Sequence, residues 1–587
     1  MSAAAVQGNP PGEGGEGGGE DPPVGILPGV PAGQEHHAPW ETSPQWPTLP
    51  AALADAAATH PDTIGVIDGD VRLTYLDYSE RSLAVARALI AAGVGKGDRV
   101  AVWLQNRAEW PVICLGIWRT GAIIVPINTR LKGLEAADML ERTEAKVLFA
   151  LPSLVGIDYL TLLHDACGPA TDDDDGGRRP FRDLPHLGLA VHLDDGPGTE
   201  GCVPYADFLA TAGRTEAAAV AAREASLRPD DPAELLFTSG TTGKPKAVTL
   251  GHQQLLRSYW DWSGIVELDE HDRFLLTSPY AHGPGINGNI VASLIRRFAS
   301  VVVDVFDAPT VLDLVLREGV TAMLGPANLY ARLMAAAEAK GLTGDETPRL
   351  RLAILGMAGI PPELIARLRD EWSVERICNA YGAIESTVVS MTRRDDPPSV
   401  VETSTGRSLP DVELRVVDDA GADLPPGEPG ELLIRSFAVM QGYWGAPEAT
   451  AEAIEPDGWF HSGDIVTHDG TGNVTIVDRK KEVFMVNGFN VYPAEVEGLL
   501  LHHPGLAHTA VVAVPDEGSG ESGVAYVVPR TGVEVDPAEV VAWARSSMAS
   551  YKAPRHVVVL DELPVAATGK TDRAGLRQRW LDGHAAG

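Results

Sequence analysis

Cysteine is scarce in this chain. Its 587 residues include four, Cys114, Cys167, Cys202 and Cys378, and no two have the C-x-x-C spacing of a thiolate metal site or a disulfide framework. That usage fits a reducing compartment. Long apolar runs are also missing. The stretch 112–127 is broken by Arg119, so nothing reaches the roughly 18 residues that span a bilayer. No basic segment leads into an apolar one at the N-terminus, so no signal peptide is read. Positive charge is in short supply: Lys plus Arg number 47 against 81 for Asp plus Glu, a net −34. Such a surface repels phosphates and anionic lipids, which excludes a broad nucleic-acid binder and stable membrane insertion. A local basic pocket for a small anion remains compatible with it. With 44% hydrophobic residues the chain can bury a large core, and the expectation is a soluble, cytoplasmic, globular protein.

Residues 1–45 are rich in Gly, Pro, Glu and Ala, as in Gly12-Glu13-Gly14-Gly15-Glu16-Gly17. Composition of this kind offsets little of the entropy of ordering, so a disordered tail is expected. From Trp46 onward, helix-like stretches (78–92) alternate with short apolar runs (99–103, 122–126), the pattern of parallel sheets covered by helices. The interval 168–201 contains Asp172-Asp173-Asp174-Asp175-Gly176-Gly177-Arg178-Arg179 and reads as an acidic surface loop. It lacks the Gly and terminal Glu of an EF-hand. Near Val477 strand-like sequence gives way to Asp478-Arg479-Lys480-Lys481-Glu482, and the stretch from there to residue 587 is long enough for a small domain. The expected fold is therefore α/β, with a large N-terminal domain over 46–477 and a small α+β domain over 478–587.

The most informative segment is Thr238-Ser239-Gly240-Thr241-Thr242-Gly243-Lys244-Pro245-Lys246, directly after the apolar Leu235-Leu236-Phe237. Glycines allow an anion close to the backbone, hydroxyls and N–H groups donate to it, and lysines supply charge. These are the needs of a triphosphate grip. The Walker pattern fails because Lys244 is followed by Pro245.

This segment resembles the phosphate-binding signature of the adenylate-forming superfamily, which includes acyl-CoA synthetases. Further matches come in order along the chain: Pro279-Tyr280-Ala281-His282, Asn379-Ala380-Tyr381-Gly382-Ala383-Ile384-Glu385, Gly458-Trp459-Phe460-His461-Ser462-Gly463-Asp464, the Asp478 cluster, and Thr568-Gly569-Lys570. The resemblance covers about residues 73–577. It implies ATP-dependent formation of an acyl-adenylate and transfer of the acyl group to a thiol, on CoA or on a carrier-protein phosphopantetheine. Lys570 resembles the lysine that bridges carboxylate and α-phosphate, Glu385 the magnesium ligand, and Thr238 its hydroxyl partner. Asp464 and Arg479 resemble the ribose-binding pair. Asn379, Ala380 and Tyr381 resemble the adenine border, with Tyr381 stacking on the base, and Gly356-Met357-Ala358-Gly359 the loop between adenine and acid. His282 resembles the gate of the carboxylate pocket, Lys481 the hinge about which the small domain rotates, and Gly488 the glycine that makes room for the pantetheine arm. By family position, 280–290, with Gly283, Gly285 and Gly288, lines the acid pocket.

One position departs from the pattern. Relatives carry Thr where this chain has Ile384, so a hydroxyl near the α-phosphate is missing. Losing a hydrogen bond to a charged group costs about 1.5–3 kcal/mol. The change leaves open activation of another oxyanion such as nitrite, with an amine as acceptor. A non-catalytic nucleotide scaffold is disfavoured because it would need none of Lys570, Glu385, Asp464 and Arg479. Relatives include monomers and dimers, so a homodimer stays open.

Overall fold

The computed structural model describes the chain apart from residues 1–24, 31–34, 36, 155–156, 173–177, 194–198, 239–244, 357–359, 481, 487–488, 517–519, 549–550, 567–569 and 585–587. It is an α/β protein. Two large mixed sheets, of nine and eight strands, are accompanied by a four-stranded antiparallel sheet and a C-terminal sheet of five. The first helix expected from the sequence begins earlier than its apolar pattern. It runs Tyr75–Ala91 because Thr74 and Asp77 form a reciprocal capping box. The strands Arg99–Trp103 and Ile123–Pro126 lie side by side in parallel.

Seven strands and one helix position the site. Strand β1 (Pro232–Phe237) and β2 (Ala247–Gly251) form an antiparallel pair ending at Phe237 opposite Ala247. Strand β1 also runs parallel to Ile123–Pro126, so the phosphate segment leaves the sheet where parallel pairing gives way to antiparallel. Helix α1 (His252–Ile265) comes next. In the nine-stranded sheet, β3 (Leu352–Gly356) and β4 (Arg376–Ala383) are parallel, with Gly356 opposite Ala380. The two-residue β5 (Gly442–Tyr443) pairs with β2. In the four-stranded sheet, β6 (Phe460–His468) and β7 (Val474–Arg479) are antiparallel neighbours. Strand β7 crosses residue 477, and the next strand, Phe484–Val486, belongs to the C-terminal sheet. The hand-over between the two sheets therefore lies between Arg479 and Phe484.

Two expectations are corrected. Described residues between 25 and 45 are packed on the body of the protein. Trp40 is buried edge-on to Trp260, and so is Trp46. The Trp260 indole donates to Ala38 O at 2.8 Å, and Glu35 forms an ion pair with the buried Arg393 at 2.6 Å. The Trp40–Trp260 contact, the Trp260–Ala38 hydrogen bond and one matched charge outweigh the Gly/Pro composition. The interval 168–201 is likewise not loop throughout: Leu189–His192 is a largely buried strand parallel to Val147–Ala150, because Leu-Ala-Val fits a covered sheet position.

Candidate active site

Strand pairing assembles the first part of the site. Asp464 on β6 lies directly opposite Arg479 on β7, and the two form an ion pair, Arg479 Nε 2.8 Å from Asp464 Oδ1. The Tyr381 hydroxyl, from β4, donates to Asp464 Oδ2. Asp464 is 3% exposed, and each of its oxygens keeps a further lone pair, so it can still accept from a sugar diol. Burial and the Asp464 carboxylate push the Tyr381 phenol pKa far up, which keeps it a donor. Two residues earlier, Asn379 is buried and its Nδ2 donates to Ser404 O at 2.8 Å. Its Oδ1 has no partner among the described residues. An orphaned buried acceptor beside an aromatic ring fits the exocyclic amine and face of a purine. Gly356 keeps the neighbouring strand close, since a Cβ there would sit 3.3 Å from Ala380 O; one on Gly382 would sit 2.2 Å from Thr387 O.

A second group lies at the mouth of the phosphate segment. Thr238 N donates to Lys246 O at 2.9 Å, and Lys246 N donates back to Thr238 Oγ1 at 3.2 Å. Lys246 Nζ lies 4.6 Å from the centre of the Tyr443 ring, and the Tyr443 hydroxyl donates to Glu385 Oε1 at 3.2 Å. Burial raises the Glu385 pKa, with the Tyr443 bond opposing it. Thr238 and Glu385 are thus joined through Tyr443 and Lys246, and a hydroxyl with a carboxylate is an oxygen donor set suited to Mg2+. Ile384 packs its side chain against the main apolar core and offers no hydroxyl.

The third group brings the C-terminal sheet region to the cleft. Lys570 is exposed, with Ala566 N donating to its carbonyl at 2.7 Å. Partial loss of hydration and the Arg479 guanidinium lower its ammonium pKa, opposed by Asp464 and Glu482. Its charge also reaches His282, whose pKa is lowered by burial, Arg130 and Lys570. Asn128 Nδ2 lies 2.8 Å from His282 Nε2. An amide nitrogen can only donate, so Nε2 accepts and the ring is neutral. His282 stands at the N-cap of a helical segment with three glycines: a Cβ on Gly283 would meet only Leu236, and one on Gly288 only Trp262, each at an ordinary 3.9 Å, whereas one on Gly285 would collide with Pro279 O at 1.9 Å, so Gly285 serves close backbone packing and does not open the pocket.

The structure thus brings Tyr381, Asp464 and Arg479 together, with Asn379 two residues before Tyr381, joins Thr238, Lys246 and Glu385 through Tyr443, and sets His282 within electrostatic reach of Lys570; Gly356 and Ala380 are cross-strand partners, Gly382 packs against Thr387 and Ile384 against the core. Ser239, Gly240, Thr241, Thr242, Gly243, Lys244, Met357, Ala358, Lys481 and Gly488 lie outside the described residues. Sequence reasoning missed Tyr443 and Asn128. Asn128 stands just past the carboxyl end of the strand Ile123–Pro126, where α/β folds place ligand contacts. Tyr443 carries no comparable signal.

Residues 53–444 match the AMP-binding enzyme family, and residues 495–570 the AMP-binding enzyme C-terminal domain. A 3-(7a-methyl-1,5-dioxo-octahydro-1H-inden-4-yl)propanoyl:CoA ligase of Rhodococcus jostii (strain RHA1) is 37% identical over 532 residues, 90% of this chain and 98% of that protein. A feruloyl-CoA synthase of an Amycolatopsis species is 32% identical, covering 91% of this chain and 98% of its own length. The crystal structure of the anthranilate CoA ligase AuaEII with anthranoyl-AMP superposes with a TM-score of 0.79 at 25% identity, over 92% of this chain and 99% of that one.

Proposed function

The chain belongs to the AMP-binding enzyme family, an ATP-dependent, AMP-forming acid–thiol ligase by that membership, and we propose how its cleft carries out the two half-reactions. The observation that carries the reading is the buried Asp464 carboxylate held between Arg479 and the Tyr381 hydroxyl, with Lys570, from beyond the second domain's sheet, near enough for its charge to act on His282 and to feel Arg479 and Asp464. A cation at that point meets the place where two anions must approach. In the first half-reaction a carboxylate oxygen attacks the α-phosphorus of ATP, and the bond to the β-phosphate breaks to release pyrophosphate. Little covalent help is needed from the protein, and positioning and charge neutralisation dominate. Asp464 holds the ribose, Asn379 Oδ1 and Tyr381 the adenine, and the 238–246 segment the phosphates. Lys570 neutralises carboxylate and α-phosphate together. Neutral His282 closes the carboxylate pocket without adding a competing charge. Thr238 and Glu385 would hold Mg2+, which supplies neutralisation of the triphosphate when bound.

In the second half-reaction a thiol sulfur attacks the acyl carbon and AMP leaves. Rotation of the small domain about Lys481 would exchange Lys570 for the channel beside Gly488, with a few hinge residues taking up the backbone change. CoA is the acceptor this reading favours, as in the relatives named above.

We place the acid pocket beside Gly283 and Gly288, where the nearest side chains, Leu236 and Trp262, are apolar and an added Cβ would meet them only at 3.9 Å. Such a pocket suits a bulky apolar acid, a ring-bearing propanoate or an aryl acid, over a short one. The test is mass spectrometry of the full chain with ATP and Mg2+, offering octanoate, ferulate, 3-phenylpropanoate, acetate and nitrite, each with and without CoA, carrier protein or an aromatic amine. AMP plus a ring-bearing acyl-CoA is the expected result. Turnover of acetate alone would overturn the pocket reading. Nitrite-dependent AMP with an amine would overturn the thiol acceptor.

A further inference from the structure

The strand that delivers the phosphate segment also carries an acid that neither half-reaction uses. Glu234, four residues before Thr238 on β1, is 0% exposed. Its Oε1 accepts from Asn287 Nδ2 at 2.7 Å, while Glu234 Oε2 and Asn287 Oδ1 have no partner among the described residues. Register sets Glu234 beside Ile124 and Leu250 on the flanking strands. The titratable groups near it are Cys114, from the helix Glu109–Thr120, and Tyr259, from α1. Burial pushes the pKa of both upward, so neither adds charge near neutrality. No basic side chain among the described residues pairs with Glu234. A buried carboxylate without a cation is costly, and the group is held as the neutral acid, its pKa pushed up to about 8 by burial, with the Asn287 amide only partly opposing.

Asn287 lies in Ile286–Val291, a π-helical turn that comes after the gate residue His282 and contains the pocket glycine Gly288. Such turns give up the regular α-helical ladder and recur at functional sites. Strand β1, by contrast, is held by neighbours on both sides. The hydrogen bond therefore ties the less constrained element to the more constrained one.

We propose that Glu234 is a positioning residue of the ligase: through Asn287 it anchors the π-helical wall of the acid pocket to the strand that carries the phosphate segment, fixing the acid relative to the α-phosphate. The proposal rests on the acid-pocket reading under Proposed function. It goes beyond that reading in assigning Glu234 and Asn287, two buried side chains hydrogen-bonded to each other.

The test compares wild type, Glu234→Gln, Glu234→Ala and Asn287→Ala as full chains. Thermal melting without substrate between pH 5.5 and 8.5 reads the tether directly. A folded-state pKa raised above the ordinary carboxyl value means stability is lost as pH climbs toward about 8. Glu234→Gln has no such proton to lose, so its melting temperature should gain on wild type by several degrees across that range. In AMP-yield kinetics with octanoate, ferulate or 3-phenylpropanoate, Glu234→Gln should stay within about threefold of wild type at pH 7 and lack the decline in kcat/KM for acid above pH 8. Glu234→Ala should raise KM for acid at least tenfold while KM for ATP moves less than threefold. Asn287→Ala, which cuts the same bond from the other side, should reproduce that split. A melting gap independent of pH, or equal damage to both KM values, would overturn the proposal. Should none of the three acids yield AMP, the pocket reading falls on its own account, and the melting gap still decides the tether.

Discussion

Asp464 and Arg479 face each other across adjacent antiparallel strands, with Arg479 Nε 2.8 Å from Asp464 Oδ1 and the Tyr381 hydroxyl on the other oxygen. Fifteen residues of chain separate the two, yet the hairpin register makes them a fixed pair. The carboxylate is thereby oriented before any nucleotide arrives, which lowers the ordering cost of binding.

Replacing that carboxylate should injure nucleotide binding first. Asp464→Asn keeps the shape but weakens every bond to the charge, worth about 1.5–3 kcal/mol each. KM for ATP should rise by about one to two decades, with the acid KM little changed. ATP–pyrophosphate exchange measures both, and an unchanged ATP KM would remove Asp464 from the ribose site.

Lys570→Ala should separate binding from chemistry. Removing a cation aimed at developing charge costs about 3 kcal/mol or more, on the order of a hundredfold in rate. Adenylation should fall by that factor while equilibrium ATP binding, followed by calorimetry, stays within about threefold. Equal loss of binding and rate would make Lys570 a general anchor.

The carboxyl of Glu385 should make metal dependence sensitive to pH. Its pKa is raised by burial, so it takes up a proton at a higher pH than a surface glutamate, and only the ionised form is a good Mg2+ ligand. Half-saturation by Mg2+ in the adenylation assay should therefore climb as pH falls from 7 to 5. Glu385→Gln should raise half-saturation at pH 7 at least tenfold and flatten the slope. A Glu385→Gln variant whose Mg2+ half-saturation matches wild type at pH 7 would exclude Glu385 as the ligand.

The N-terminal arm should contribute to stability out of proportion to its length. Arg393 is 6% exposed and also donates to Met391 O and Ser408 O, but the carboxylate bonded to its guanidinium is that of Glu35. Glu35→Ala leaves a buried charge unpaired, at a cost of about 3 kcal/mol, the low end because Glu35 keeps some solvent. A urea midpoint lowered without loss of kcat per folded molecule is the expected result. An unchanged midpoint would show that Arg393 is satisfied by its backbone partners.

The chemistry of this protein was legible in contiguous residues. Small, hydroxyl-bearing and cationic residues between Thr238 and Lys246 pointed to a phosphate grip, while for Asn379 to Glu385, Asp464, Arg479 and Lys570 it was the family resemblance that implied nucleotide and acid contacts. The net charge of −34 argued against a broad nucleic-acid binder, and the alternation of apolar runs with helical patterns foretold an α/β fold. Each of these signals is local, because the groups that meet one small anion can be carried on one loop.

Tertiary structure alone decided the partnerships. Asn128 reaches His282 across 154 residues, Tyr443 reaches Glu385 across 58, and Glu35 reaches Arg393 across 358. Composition marked residues 1–45 as unpacked because Gly and Pro lower the average, yet within the described part Trp40 and the Glu35 carboxylate find matching surfaces that no local window contains. Glu234 carried no signal in the sequence, and only complete burial without a cation made it a neutral acid. Burial and pairing are properties of what surrounds a group in space, and those surroundings are distributed along the whole chain.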